Sequence, residues 1–220
     1  MSDRLSRLAP LTGVVFAVLV VVGVFTGGES PNANARPAKV ISYYAANRSE
    51  VETSSIIFAI AFLVLVLFAG SLRSYLRRAA AAEGLAAIVL AGAVLMAAGA
   101  LVSSAAEYGL AHNLSGLSPA TAQTMNLISS ELFLPVIGGA FLFAVASGLA
   151  ILRGARLPNW LGWVAIVLGI VVLVPPASFP ALLGFVIWSI VVSILIYVRS
   201  GPEKSAPTPH APDPLGAPSG

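Results

Sequence analysis

Residues 157–198 read "LPNWLGWVAIVLGIVVLVPPASFPALLGFVIWSIVVSILIYV", 42 residues without one formal charge. A hydrocarbon core about 30 Å thick needs about 20 helical residues to cross it. The stretch is twice that length, and "VPPASFP" (174–180) interrupts it near the middle. Pro175 and Pro176 end one helix, and Ser178 followed by Pro180 can start the next. Two helices joined by a tight turn are therefore predicted. Helix is the required form, because lipid offers no partner to free backbone N–H and C=O groups.

The rest of the chain is punctuated in the same way. Uncharged runs of 21, 20, 23 and 21 residues lie between Arg7 and Glu29, Glu52 and Arg73, Glu83 and Glu107, and Glu131 and Arg153. The spacing predicts six spans, at 9–27, 54–72, 85–106, 127–152, 158–175 and 179–198. The expected fold is all-α, an integral membrane helical bundle with six transmembrane helices over residues 1–199. Of the 220 residues, 58% are hydrophobic and only 10% charged, against about 25% charged in soluble domains. Polar side chain is too scarce to coat a water-facing surface. The stretch 200–220 holds six prolines and reads as a disordered cytoplasmic tail.

Basic residues alternate across the connections. Nine of the twelve fall on one side: Arg4, Arg7, Arg73, Arg77, Arg78, Arg153, Arg156, Arg199 and Lys204. Arg36, Lys39 and Arg48 share the loop 28–53 on the other. The positive-inside rule then places both termini in the cytoplasm and the protein in the cell membrane, crossing it several times. Trp160, Trp163, Tyr75 and Tyr197 mark the inner boundary, and Tyr43, Tyr44 and Tyr108 the outer one. The arginines on the inner side are placed to touch anionic headgroups. The first span resembles a signal peptide, with "ANA" (33–35) as a cleavage site. About ten residues separate the apolar run from that site, which is long, so retention is expected.

In the outer loop, Val40, Tyr44 and Val51 are spaced to share one face of a short helix after Pro37. That face would lie on the membrane or cap the bundle; a simple lead-in to the second span is the preferred expectation. Asn47-Arg48-Ser49 and Asn113-Leu114-Ser115 match the glycosylation acceptor pattern. Span three carries a stripe of Ala93, Ala97, Ala100 and Ser104 with Gly92 and Gly99 beside it, and span four carries Ala140, Ala144 and Gly148. Small residues let helices approach closely, so spans three and four should form a tight hairpin. Alternatively one stripe is the seam for a second copy or a protein partner. Trp188, near mid-span, needs a partner for its indole N–H, with Ser189 and Ser193 close in sequence.

Chemistry is constrained mostly by exclusion. There is no cysteine, so thiolate metal sites and cysteine nucleophiles are out. His112 and His210 fall on opposite sides of the membrane. Neither lysine lies in a span, and no phosphate-binding glycine motif occurs. No cofactor, metal or nucleic-acid partner is expected, and no catalytic residue is assigned. One carboxylate is ambiguous. Glu131 opens "SSELFLPVIGG" (129–139), at the outer edge of its span. Ser118 and Pro119 would start its helix, and Pro135 leaves the Glu131 carbonyl free.

The outer boundary therefore collects the candidate ligand-binding residues. Ser103, Ser104 and Glu107 end span three, and Asn126, Ser129, Ser130 and Glu131 begin span four. Arg48 and His112 lie in adjoining loops. If the hairpin forms, the two carboxylates come within about 10 Å, and Arg48 can neutralise one. Such a pair would hold a cation or amine, or share a proton.

The segments "LAPLTGVVFAVLVVVG", "VISYYAANRSE", "FAGSLRSYLRR" and "RLPNWLGW" resemble an actinobacterial group of six-span membrane proteins of unknown function. The resemblance covers the chain to about residue 199, implies a multi-pass membrane protein, and transfers no activity or site residue. A component that binds a partner, a membrane lipid or a small molecule is expected. The alternative is a transporter or channel subunit, followed by an intramembrane enzyme using Glu107 and Glu131. A parallel repeat, suggested by "RLAPLTGVV" (7–15) and "RLPNWLGWV" (156–164), would suit the transporter.

Overall fold

The computed structural model of the chain describes residues 8–79 and 82–199. Arg4, Arg7, Lys204, His210 and the proline-rich tail lie outside them. Among the described residues the fold is all-helical. A 3-10 turn at Ala9–Leu11 leads into α1 (Thr12–Gly27). Then follow α2 (Pro37–Ala46), α3 (Arg48–Leu76), α4 (Glu83–His112), α5 (Pro119–Glu131), α6 (Phe133–Leu152), α7 (Asn159–Val171) and α8 (Ser178–Arg199).

Five stretches are long and apolar enough to cross a membrane: Ala9–Gly27, Arg48–Leu76, Glu83–His112, Pro119–Leu152 and Pro175–Arg199. The sixth expected span is shorter than its sequence window. α7 has 13 residues, about 20 Å of helical rise, less than the hydrocarbon thickness. Extended Pro158 caps its start, and extended Val174 leads into the 3-10 turn at Pro175–Ala177. The prolines thus end the helix earlier than the charge spacing implied. Span four also departs from expectation, breaking at Leu132 into α5 and α6. Pro135 has no N–H to offer the Glu131 carbonyl, so the ladder is interrupted there. Ser118 is the N-cap, as expected: its Oγ accepts the Thr121 N–H at 3.2 Å, with Pro119 in the first turn.

Outward-facing Val18, Leu67, Val102, Ile187 and Val198 are exposed, a surface that suits lipid rather than water. One end of the bundle carries Arg73, Arg77, Arg78, Arg153, Arg156 and Arg199, and is called the basic end below. There the Tyr75 hydroxyl donates to the Arg156 carbonyl at 2.9 Å. The opposite, or loop, end carries α2 and α5.

α4 and α6 form the most extensive helix pair, the hairpin expected of spans three and four. Their backbones touch through glycine: a Cβ on Gly92 would lie 2.6 Å from the Phe143 nitrogen, and one on Gly139 would lie 2.5 Å from the Met96 nitrogen. The Ala140–Ala144–Gly148 ladder has a different partner. Gly148 meets Gly162 of α7, and Gly169 of α7 meets Ala144. Gly139 and Phe143 sit one residue back, about 100° round the helix, so one side of α6 takes α4 and the next takes α7.

α1 is built into the core, with Phe16 and Ala17 buried against the bundle. Phe143 contacts Phe185 and Trp188 edge-on, at centroid distances of 5.2 and 6.2 Å. The Trp188 indole N–H donates to the Leu161 carbonyl at 3.0 Å rather than to Ser189 or Ser193. Ser189 turns back on its own helix and donates to the Val186 carbonyl at 2.7 Å.

Candidate functional site

The loop end is organised by a second apolar cluster. Val40, Tyr44 and Val51 are buried with Leu110, Ala111 and Ala122. Val40 and Tyr44 lie on α2, but Val51 falls beyond the break at Asn47, in the first turn of α3, so the expected single helical face is split. The shared burial makes α2 a cap packed on α4 and α5, not a lead-in to α3. Asn47 breaks the helix between α2 and α3, with its side-chain amide donating back to the Tyr43 carbonyl at 2.9 Å. The Asn113 amide does the same toward Gly109 at 3.2 Å.

One of the expected site residues, Asn126, ties this cap to α5, and two more, Ser129 and Ser130, bond back along α5 itself. Asn126 is 1% exposed. Its Oδ1 accepts the Tyr44 hydroxyl at 3.5 Å, and its Nδ2 donates to the Asn32 carbonyl at 3.2 Å. The hydroxyls of Ser129 and Ser130 donate to the Asn126 carbonyl at 3.0 and 2.9 Å. A buried amide is tolerated when its donors and acceptors are matched in this way. Burial first, then the Glu107 carboxylate and Tyr43, push the Tyr44 phenol well above its ordinary range.

Arg48 and His112 converge on a residue outside the expected set. Arg48 Nε lies 2.9 Å from Glu52 Oε1, and His112 Nδ1 lies 3.2 Å from the same oxygen. The His112 ring stacks on Tyr108 with centroids 5.5 Å apart. Arg48 is thus committed to Glu52, not to Glu107 or Glu131. The i,i+4 spacing of Arg48 and Glu52 was the signal available for that pair. The Arg48 and His112 side chains are half-exposed, so the cluster contributes little stability.

The two carboxylates have different surroundings. Glu131 is exposed, and among the described residues it has no ion-pair partner. Glu107 lines a chamber of about 230 Å³ enclosed by α1, α3, α4, α6 and α8, which Glu131 does not line. Phe58, Phe62, Phe179 and Leu183 form much of its wall, and Phe16 and Phe185 close the end nearer the bundle centre. The ring of Phe16 stands 5.9 Å from Phe62 and 6.5 Å from Phe185. The polar lining is confined to Ser103, Ser104 and Glu107, all from the last turns of α4. The Ser103 hydroxyl donates to the Ser129 carbonyl at 3.0 Å, tying α4 to α5 beside the chamber. Glu107 is the only ionisable side chain in the lining. Among the described residues no hydrogen bond or ion pair engages it.

The chamber is reachable from the apolar flank. α6 and α8 touch sparsely, and the lining residues Phe133, Phe179 and Leu183 on those helices are exposed. Of the nine expected site residues, then, three line one cavity, Asn126 braces the cap, Ser129 and Ser130 bond back to their own helix, two bind Glu52, and Glu131 stands apart. The phenylalanines were invisible as a site in the sequence, because four helices contribute them and each looks like ordinary lipid-facing or core material. Among the described residues no three metal-ligating side chains converge. No family model, curated protein or solved structure matches the chain, so geometry alone carries the functional argument.

Proposed function

We propose that this is a multi-pass cell-membrane protein that holds a lipophilic molecule bearing a basic or hydrogen-bond-donating group. The carrying observation is the chamber itself, apolar on nearly every side with one unpartnered carboxylate, Glu107, among its walls. A carboxylate in an apolar cavity gains most from a counter-charge or donor supplied by a guest. An apolar cavity with a few polar groups is the usual form of a small-molecule site. The aromatic closure by Phe16, Phe62 and Phe185 favours retention over passage, so binding ranks above transport. In this reading α7 makes a short sixth crossing, and the nine basic residues keep both termini in the cytoplasm. The likeness to the actinobacterial six-span group belongs to the same proposal and adds no ligand.

The test compares a fluorescent long-chain alkylammonium with its uncharged alcohol analogue, titrated into the protein in detergent micelles. Glu107→Gln should weaken ammonium binding by about tenfold or more, the size of a lost charge-assisted contact. It should leave the alcohol nearly unaffected, and Glu131→Gln should change neither. Equal ammonium affinity in wild type and Glu107→Gln would remove the basis of the proposal.

A further inference from the structure

A second cavity lies at the basic end, far from the chamber. Its volume is about 520 Å³, and Tyr75, Arg78, Gly154, Arg156 and Arg199 are among its lining residues. Three segments supply the arginines: the turn just after α3, the turn between α6 and α7, and the last residue of α8. Gly154 adopts φ +107°, a conformation that side chains rarely take, and so lets the turn fold back toward α3 and α8. The turn is then pinned, because the Tyr75 hydroxyl and the Arg199 guanidinium both donate to the Arg156 carbonyl. The Arg78 guanidinium carbon lies 5.9 Å from the centre of the Tyr75 ring.

The charges here are unbalanced. Among the described residues no carboxylate lines the cavity, and Glu83, the acidic group of this end, pairs with Arg77 at 3.3 Å. No ion pair among the described residues includes Arg78, Arg156 or Arg199. Arginines gathered from three segments around one cavity repel one another unless an anion joins them. Guanidinium presents paired N–H donors that match the oxygens of a phosphate group. The neighbouring surface is apolar, with Trp160, Trp163 and Val198 exposed, so acyl chains attached to such a phosphate would find lipid beside it.

We propose that the cavity between α3, the α6–α7 turn and α8 is a phosphate-binding site, with Arg78, Arg156 and Arg199 as its donors. The phosphate belongs to an anionic lipid headgroup or to a soluble phosphate compound, and two measurements separate these. The full chain is reconstituted in phosphatidylcholine with or without phosphatidylglycerol, and lipids retained after mild detergent extraction are measured by native mass spectrometry. In parallel, thermal unfolding in phosphatidylcholine alone is followed with inorganic phosphate against chloride at equal ionic strength. Preferential retention of phosphatidylglycerol that falls at least about tenfold in Arg156→Gln/Arg199→Gln assigns the site to lipid. Protection by phosphate that the same variant loses assigns it to a soluble phosphate. Arg36→Gln, at the loop end, should match wild type in both assays. If wild type and the double variant behave alike in both, the proposal is overturned. Should the double variant fail to fold, Arg78→Gln replaces it, since the Arg78 head is exposed, and an unchanged result there is equally decisive.

Discussion

Gly92 offers the sharpest test of how the bundle is held together. A methyl group added there would sit 2.6 Å from the Phe143 nitrogen, 2.8 Å from the Gly139 oxygen and 3.0 Å from the Phe143 Cα. All three neighbours are backbone, so no side chain can swing away, and α4 must move off α6. Overpacking of this kind costs about 1–3 kcal/mol. Alanine is also a better helix former than glycine by about 1 kcal/mol, which offsets part of the cost. Gly92→Ala should therefore destabilise the protein by up to about 2 kcal/mol. Gly70 is the control: it lies within α3, and a Cβ there would meet nothing within 4 Å. Gly70→Ala should be neutral or stabilising by up to about 1 kcal/mol, since only the propensity term acts. Gly139→Ala would meet the Met96 nitrogen at 2.5 Å and the Gly92 oxygen at 2.6 Å. Because either methyl forces the same separation, the double variant should cost less than the sum of the singles. Unfolding in mixed detergent micelles, followed by circular dichroism, measures all four variants. If Gly92→Ala proved as stable as Gly70→Ala, close backbone contact between α4 and α6 would not be what joins them.

Further consequences follow for two buried polar side chains. Trp188→Phe removes the hydrogen bond to the Leu161 carbonyl and part of the indole contact with Phe143. A loss of about 1–3 kcal/mol is expected in the same unfolding assay, with α7 loosened first; a hydrogen-exchange profile leaving α7 as protected as before would contradict this. The Tyr44 phenol is held neutral above its ordinary value of about 10. The stability it contributes is therefore present below about pH 10 and declines as the pH rises beyond it, where the unfolded phenol ionises more readily than the folded one. Thermal midpoints of wild type should fall more steeply through that range than those of Tyr44→Phe; parallel curves would show that this phenol is not the titrating group.

Most of the helical architecture was legible from charge spacing, because lipid excludes formal charge along a whole helix and leaves the limit written in the chain. Arg7 and Glu29, or Glu52 and Arg73, bracket their spans for that reason alone. The short α7 and the break at Leu132 were less legible, since Pro175 and Pro135 act on backbone hydrogen bonds that a charge count does not see. The small-residue stripes correctly joined spans three and four, but the contact row on α6 was displaced by one residue. Alanine and glycine rows on adjacent faces look equivalent until the partners are placed.

By itself, the amino-acid sequence determined the apolar surroundings and most of the helices, because both depend on local sums: apolar length and charge position within one helix. Only the tertiary structure decided which polar groups are structural and which are free. Asn126 is consumed by the cap, Ser129 and Ser130 by the backbone of their own helix, Arg48 and His112 by Glu52, and Glu131 faces outward. Glu107 alone among the nine candidates brings a charge to the apolar chamber. That distinction depends on the rotation of each helix about its axis, which packing against distant residues sets and no nearby residue records.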